Sequence, residues 1–132
     1  MPYLIDTDVV IDHLADLPDA TELLNRLADD GIAISIITYM ETFQGLARST
    51  DPEQAHARFQ SFVDSVPVLP LSIAVAERCA RLREALRLDG RRISQRALDL
   101  IHAATALEHD LIVVARNQSD YRDIPGLQRY SL

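Results

Sequence analysis

The chain has 132 residues, 48% of them hydrophobic, with only four Gly and six Pro, so residues 1–132 are expected to form a single ordered domain that buries roughly two-thirds of its unfolded surface. No apolar run approaches the roughly 18 residues needed to span a membrane, no basic segment opens the chain, and the single Cys79 cannot close an internal disulfide, which together predict a cytoplasmic protein. The net charge of −7 argues against general nucleic-acid affinity, although the 13 basic residues are all Arg and are unevenly spread.

Residues 2–6 read as a short buried strand and Asp8 to Leu14 as a short helix. Asp19 to Asp30 carries Leu23, Leu24, Leu27 and Ala28 at helical spacing, and Gly31 stops it. The β-branched run from Ile32 to Ile37 predicts a strand, followed by helices over Thr38 to Arg48 and Pro52 to Asp64, the second with Pro at its first position. Val66 to Leu71 is a strand weakened by Pro67 and Pro70, hence short or near an edge. Ser72 to Leu88 is an amphipathic helix on which Cys79 packs, and Ser94 is placed to cap a further helix running to about Glu108. Leu111 to Ala115 is a buried strand, and Gln128 to Tyr130 offers one more short strand. Solid apolar strands alternating with helices predict an α/β fold: a mainly parallel sheet of four to five strands, covered on both faces.

In such a sheet the ligand site lies beyond the carboxyl ends of the strands, where strand order reverses. Asp6, Asn117 and Asp120 follow strands, Glu41 lies one turn into the helix after its strand, and Asp99 reaches the same region from near a helix start. Asp99 is surrounded in sequence by Leu98, Leu100, Ile101, Ala103, Ala104 and Leu107, and a buried acid requires compensation. Clustered carboxylates repel one another, and with no Lys in the chain a divalent cation is the natural partner. Mg²⁺, or Mn²⁺ in its place, takes oxygen ligands and can activate a water for phosphodiester hydrolysis. Seven Arg fall between Arg78 and Arg96, and this run reads either as a solvated helix face or as a phosphate-binding rim that includes Arg91, Arg92 and Arg96.

Four segments carry a family likeness: Leu4-Ile-Asp-Thr-Asp-Val-Val-Ile11, Thr38-Tyr-Met-Glu-Thr-Phe-Gln-Gly45, Asp99-Leu-Ile-His-Ala-Ala-Thr-Ala106, and Arg116-Asn-Gln-Ser-Asp-Tyr121 followed by Ile124-Pro-Gly-Leu127. In order and over essentially the whole length, they resemble the successive motifs of PIN domains, and within these the VapC-type toxins of bacterial toxin–antitoxin pairs. The resemblance implies a PIN-like three-layer α/β/α fold and a Mg²⁺-dependent endoribonuclease. It further implies a homodimer and a cognate VapB-type antitoxin that blocks the active site. Position by position, Asp6, Glu41 and Asp99 match the family's near-invariant acids, and Asp120 matches its terminal acid. Asn117 stands where some members have Asp, and its carbonyl can ligate a metal without adding charge. Asp6, Glu41, Asp99 and Asp120 are thereby the expected catalytic residues, with Asp6, Asp99, Glu41 and Asn117 as metal ligands.

Thr7 and Asp8 are placed to orient Asp6 or to cap the following helix, and Arg116 to contact RNA phosphate or form a surface ion pair. His102 shares the helix face of Asp99 and reads chiefly as a packed or hydrogen-bonded histidine. His13, His56 and His109 read as surface residues, and Asp12 and Asp16 as solvated charges. Two other readings stay open. Asp6-Thr7-Asp8 also fits the Asp-x-Asp signature of haloacid-dehalogenase-like phosphatases, although the basic residue that family usually draws from Lys is missing. A non-catalytic PIN scaffold is the second, against which the retained acids speak.

Overall fold

The computed structural model describes residues 2–131. Tyr3–Ile5 (β1), Ile32–Ser35 (β2), Val68–Leu69 (β3) and Ile112–Val114 (β4) form a four-stranded sheet in the order β3-β2-β1-β4, with every pairing parallel. The helices Thr7–Leu14 (α1), Pro18–Ala28 (α2), Ile36–Leu46 (α3), Pro52–Asp64 (α4), Ile73–Leu88 (α5) and Ala97–His109 (α6) cover it, and a 3-10 helix spans Gln118–Tyr121. This is the expected three-layer α/β/α arrangement, at the lower end of the expected strand number.

Successive strand residues point to opposite faces, and both faces are buried. Leu4, Ala33 and Val113 pack with Val75, Cys79, Leu82 and Leu86 of α5 and the alanines of α6. Ile5, Ile34 and Val114 pack the other way, against Val9 and Val10 of α1 and Leu23, Leu24 and Leu27 of α2. Two-sided burial is why these strands read as unbroken apolar runs. Ala103, Ala104 and Ala106 are fully buried, and such small side chains let α6 lie close against α5.

Several boundaries move, each for a local reason. β2 stops at Ser35, because its hydroxyl accepts the Thr38 N–H at 3.2 Å and starts α3, so Ile36 and Ile37 are helical rather than extended. Ser94 does not cap α6; that helix begins after Arg96 with no side-chain cap, while Gln95 takes a left-handed φ of 62° and the Ser94 carbonyl accepts from Arg92. Residues 128–130 supply one parallel bridge, Val113 to Arg129, instead of a fifth strand. β3 is two residues long at the sheet edge, in keeping with its two prolines.

The chain runs from β1 outward to β2 and β3 on one side, then returns to place β4 on the other side of β1. Strand order therefore reverses between β1 and β4, and a crevice opens beyond their carboxyl ends.

Candidate active site

Asp6 occupies the mouth of that crevice. Its N–H donates to the Val114 carbonyl at 2.9 Å, continuing the β1–β4 ladder, and its carboxylate caps α1 by accepting the Thr7 N–H at 2.8 Å. Strand end and helix start meet at this one residue, which fixes its side chain direction. The Tyr121 hydroxyl donates to the second carboxylate oxygen at 2.9 Å. Glu41, on α3, accepts the Thr7 hydroxyl at 2.6 Å. Asp99 projects from the first turn of α6, and Asp120 from the 3-10 helix after β4. Asp6, Asp8, Glu41, Asp99, Asn117 and Asp120 all line one cavity of about 510 Å³.

The electrostatics follow from this crowding. Burial lifts the Asp6 carboxyl to about 6, with the charges of Asp8 and Glu41 adding to it and the Thr7 and Tyr121 hydrogen bonds opposing. Burial also lifts Asp99 to about 6, reinforced by Asp120, Asp6 and Glu41, with Arg96 pulling the other way. Tyr121 is pushed far up by burial and by the surrounding carboxylates, so its hydroxyl stays protonated and serves Asp6 as a donor. His102 is driven down to about 4 by complete burial and is neutral. Its Nδ1 bonds the Ser35 hydroxyl at 2.8 Å, and its Nε2 stands 3.8 Å from Asp6 Oδ1 with no hydrogen-bond partner. Because Nε2 faces an anion, the favourable tautomer carries its proton there.

The neighbouring positions divide by what they touch. Asp8 neither caps α1 nor orients Asp6; its Oδ2 accepts the N–H groups of Arg116 at 3.1 Å and Asn117 at 3.4 Å, tying the loop after β4 to α1. Asn117 turns its carbonyl inward to accept from Ser119 and donates its amide to Asp120 Oδ2 at 3.3 Å. In this arrangement the carbonyl expected to face a cation is engaged, and the open oxygen is Asp120 Oδ1. The Arg116 guanidinium lies 3.1 Å from Asp12, so Asp12 is a partly buried ion-pair member and not a solvated charge. Asp16 is solvent-exposed as expected, in a surface ion pair with Arg58 at 2.6 Å, whereas His13 is half-buried against Thr21 and Phe62. Arg96 is buried and held by both oxygens of Asp123, at 2.7 and 2.9 Å, so its guanidinium is not free for a ligand, whereas Arg91 and Arg92 remain exposed.

Tyr121 and Ser35 are the site residues that the sequence did not single out for a role. Tyr121 was visible only as the aromatic beside Asp120, and nothing local marks Ser35 as the partner of His102 67 positions away. Among the described residues no group of three or more His, Cys, Asp or Glu side chains is arranged to hold a metal ion by itself. The cavity sets these carboxylates beside Gln44, Arg48 and Arg116, and carboxylate oxygens are the donors that suit a hard cation keeping waters or phosphate oxygens in its shell.

A family model described as PIN domain matches residues 3–127. The chain is 27% identical over 128 residues to the tRNA(fMet)-specific endonuclease VapC of Shigella flexneri, covering 97% of this chain and 96% of the relative. It superposes with a TM-score of 0.87 on a structure of VapBC2 from Rickettsia felis bound to a DNA fragment from their promoter, at 25% identity and covering 100% and 99% of the two chains. A Mycobacterium tuberculosis structure described as VapBC-5, of the VapBC family of toxin–antitoxin systems, aligns with a TM-score of 0.72 at 26% identity, covering 99% and 98%.

Proposed function

The chain belongs to the PIN domain family, and from that premise we propose that residues 1–132 act as one domain, a Mg²⁺-dependent endoribonuclease and the toxin of a toxin–antitoxin pair. The observation that carries this reading is the convergence of Asp6, Glu41, Asp99 and Asp120 on one cavity at the strand-order reversal. The likeness to a VapC endonuclease over nearly the whole of both chains supports the same chemistry, and the likeness to VapBC structures supports a VapB-type antitoxin as partner.

The donor chemistry fits a divalent cation. Two carboxyls lifted to about 6 by burial and mutual repulsion are groups whose ionised form such a cation would restore. Asp6 and Asp99 would hold it, with Glu41 and Asp120 acting through water. When bound, the cation supplies charge neutralisation and an activated water for hydrolysis of the RNA phosphodiester bond.

The protein's own part is positioning. Tyr121 and the Thr7 N–H each hold one oxygen of Asp6, and Thr7 also fixes Glu41 by its hydroxyl, so one residue aligns two acids from different elements. Asn117 steadies Asp120. Glu41 keeps Oε1 on Thr7 and lines the cavity, where a carboxylate can take a proton from the attacking water. Ile36, Met40 and Phe43 lie on one exposed face of α3, 38–48% accessible, and this apolar stripe supports association with a second copy of the chain or with the antitoxin. The Asp-x-Asp phosphatase alternative is disfavoured by the engagement of Asp8, whose Oδ2 is bound to two backbone N–H groups and whose Oδ1 is buried, leaving it poorly placed to act as an acid.

The test is cleavage of a total-RNA pool by the purified, antitoxin-free protein with Mg²⁺ and with chelator, beside Asp6→Asn. The expected result is cutting that needs the cation and falls at least about 100-fold in the variant. Cleavage by Asp6→Asn at the wild-type rate would remove Asp6 from the chemistry, and turnover of a small phosphate ester without RNA cleavage would favour the phosphatase.

A further inference from the structure

A chain of net charge −7 with an acidic centre repels a polyanion, so attraction for RNA beyond what a bound divalent cation supplies has to come from cationic side chains beside that centre. A second cavity, of about 650 Å³, shares Asp99 and Asp120 with the carboxylate cavity as a common wall. Its lining also carries cations: Arg91 and Arg92 come from the loop between α5 and α6, and Arg122 from the turn that follows the 3-10 helix, while Arg96 is paired with Asp123.

These two segments are locked together from beneath. The Arg96 guanidinium donates to the Arg92 carbonyl at 2.7 Å and the Asp120 carbonyl at 3.3 Å while paired with Asp123. One buried side chain thus sets the spacing between the basic loop and the acid at the hydrolytic centre. Other members of the Arg run are engaged elsewhere, Arg78 with Glu108 and Arg87 with Glu84. Arg91 reaches Asp89 only at 3.4 Å, Arg92 donates to the Ser94 carbonyl, and Arg122 makes no ion pair among the described residues.

Resting on the nuclease reading, we propose that this second cavity is a phosphate subsite in which Arg91, Arg92 and Arg122 grip the RNA backbone next to the scissile bond. An anion held here lies beside the carboxylate cavity, since Asp99 and Asp120 line both, and a polymer with a phosphate at every nucleotide can occupy the two together. That adjacency favours RNA over an acidic protein segment as the occupant. The guanidinium fork suits phosphate oxygens, and exposed side chains adapt to a moving backbone.

The experiment measures binding of a labelled single-stranded RNA oligonucleotide in chelator across a salt series, for wild type, the triple variant R91Q/R92Q/R122Q, its Lys counterpart R91K/R92K/R122K, and Arg122→Gln alone. Each phosphate contact on single-stranded nucleic acid contributes about 0.7 to the slope of log affinity against log salt, so the Gln triple variant should lose about 2 from the slope and Arg122→Gln about 0.7. The Lys variant should restore the slope, because it restores charge. Arg122→Gln removes no side-chain hydrogen bond or ion pair among the described residues, so it reads the subsite even where the triple variant folds poorly. A wild-type slope in both Gln variants would overturn the subsite. So would an unchanged RNA slope accompanied by weakened binding of an oligoglutamate peptide, which would assign the cavity to an acidic protein partner. If the wild type cleaves RNA with Mg²⁺ while the slopes stay unchanged, only the subsite falls. If the wild type neither binds nor cleaves RNA, the nuclease reading falls with it.

Discussion

Asp99 holds its carboxyl in a place that opposes its own charge. Its folded-state pKa is raised, from 3.8 to about 6, so folding favours the protonated acid. The stability this group contributes is fully present below 3.8 and is lost as pH rises through 6. Asp99→Asn removes that loss. In chelator, its melting temperature should match wild type near pH 3.5 and exceed it at pH 7.5, by about 2–4 °C for each ~1 kcal/mol relieved. Equal melting temperatures at both values would mean that the acid is not strained. His102 titrates in the opposite sense, since its depressed value of about 4 places its contribution above 6.5 and removes it as pH falls through 4. Comparing the two proteins at each pH cancels that term. The acids themselves were legible in the sequence because a carboxylate at a strand end or within an apolar helix stands out. Their orientation was not: the Tyr121 to Asp6 bond joins residues 115 positions apart, and the turn of the Asn117 amide depends on Ser119 and Asp120 in the folded loop.

At the scale of elements, two short connections carry the site. Ser35 ends β2, caps α3 and bonds His102, so Ser35→Ala should cost about 1–2 kcal/mol and leave the buried imidazole with one partner fewer. Chemical denaturation measures the cost, and a loss below a few tenths of a kcal/mol would show the cap to be dispensable. Arg96 joins the loop before α6 to the 3-10 helix. Arg96→Gln leaves the partly exposed Asp123 without its ion pair and should destabilise by about 1–2 kcal/mol, with RNA cleavage falling further than stability alone explains because the Asp120 carbonyl loses its anchor. Full cleavage by a folded Arg96→Gln protein would separate the clasp from the site. Both connections were misread from sequence for one reason. A β-branched run such as Ile32 to Ile37 carries no mark of where a capping serine turns it helical. Nor does a run of Arg separate the member that is buried in an ion pair from those that face solvent.

At the scale of the whole molecule, the order of apolar runs was enough for the parallel three-layer fold, since two-sided burial leaves no other economical arrangement. The reversal of strand order between β1 and β4 then gathers acids from four separated segments into one crevice, and their repulsion is built into the fold. A divalent cation is the proposed compensation for this charge. The most direct measurement is Mn²⁺ binding by titration calorimetry at pH 7.5 to the wild type, Asp6→Asn and Asp99→Asn. Saturable binding to the wild type that weakens at least about tenfold in each variant is the expected result. Binding of equal strength in all three, or none in the wild type, would contradict it.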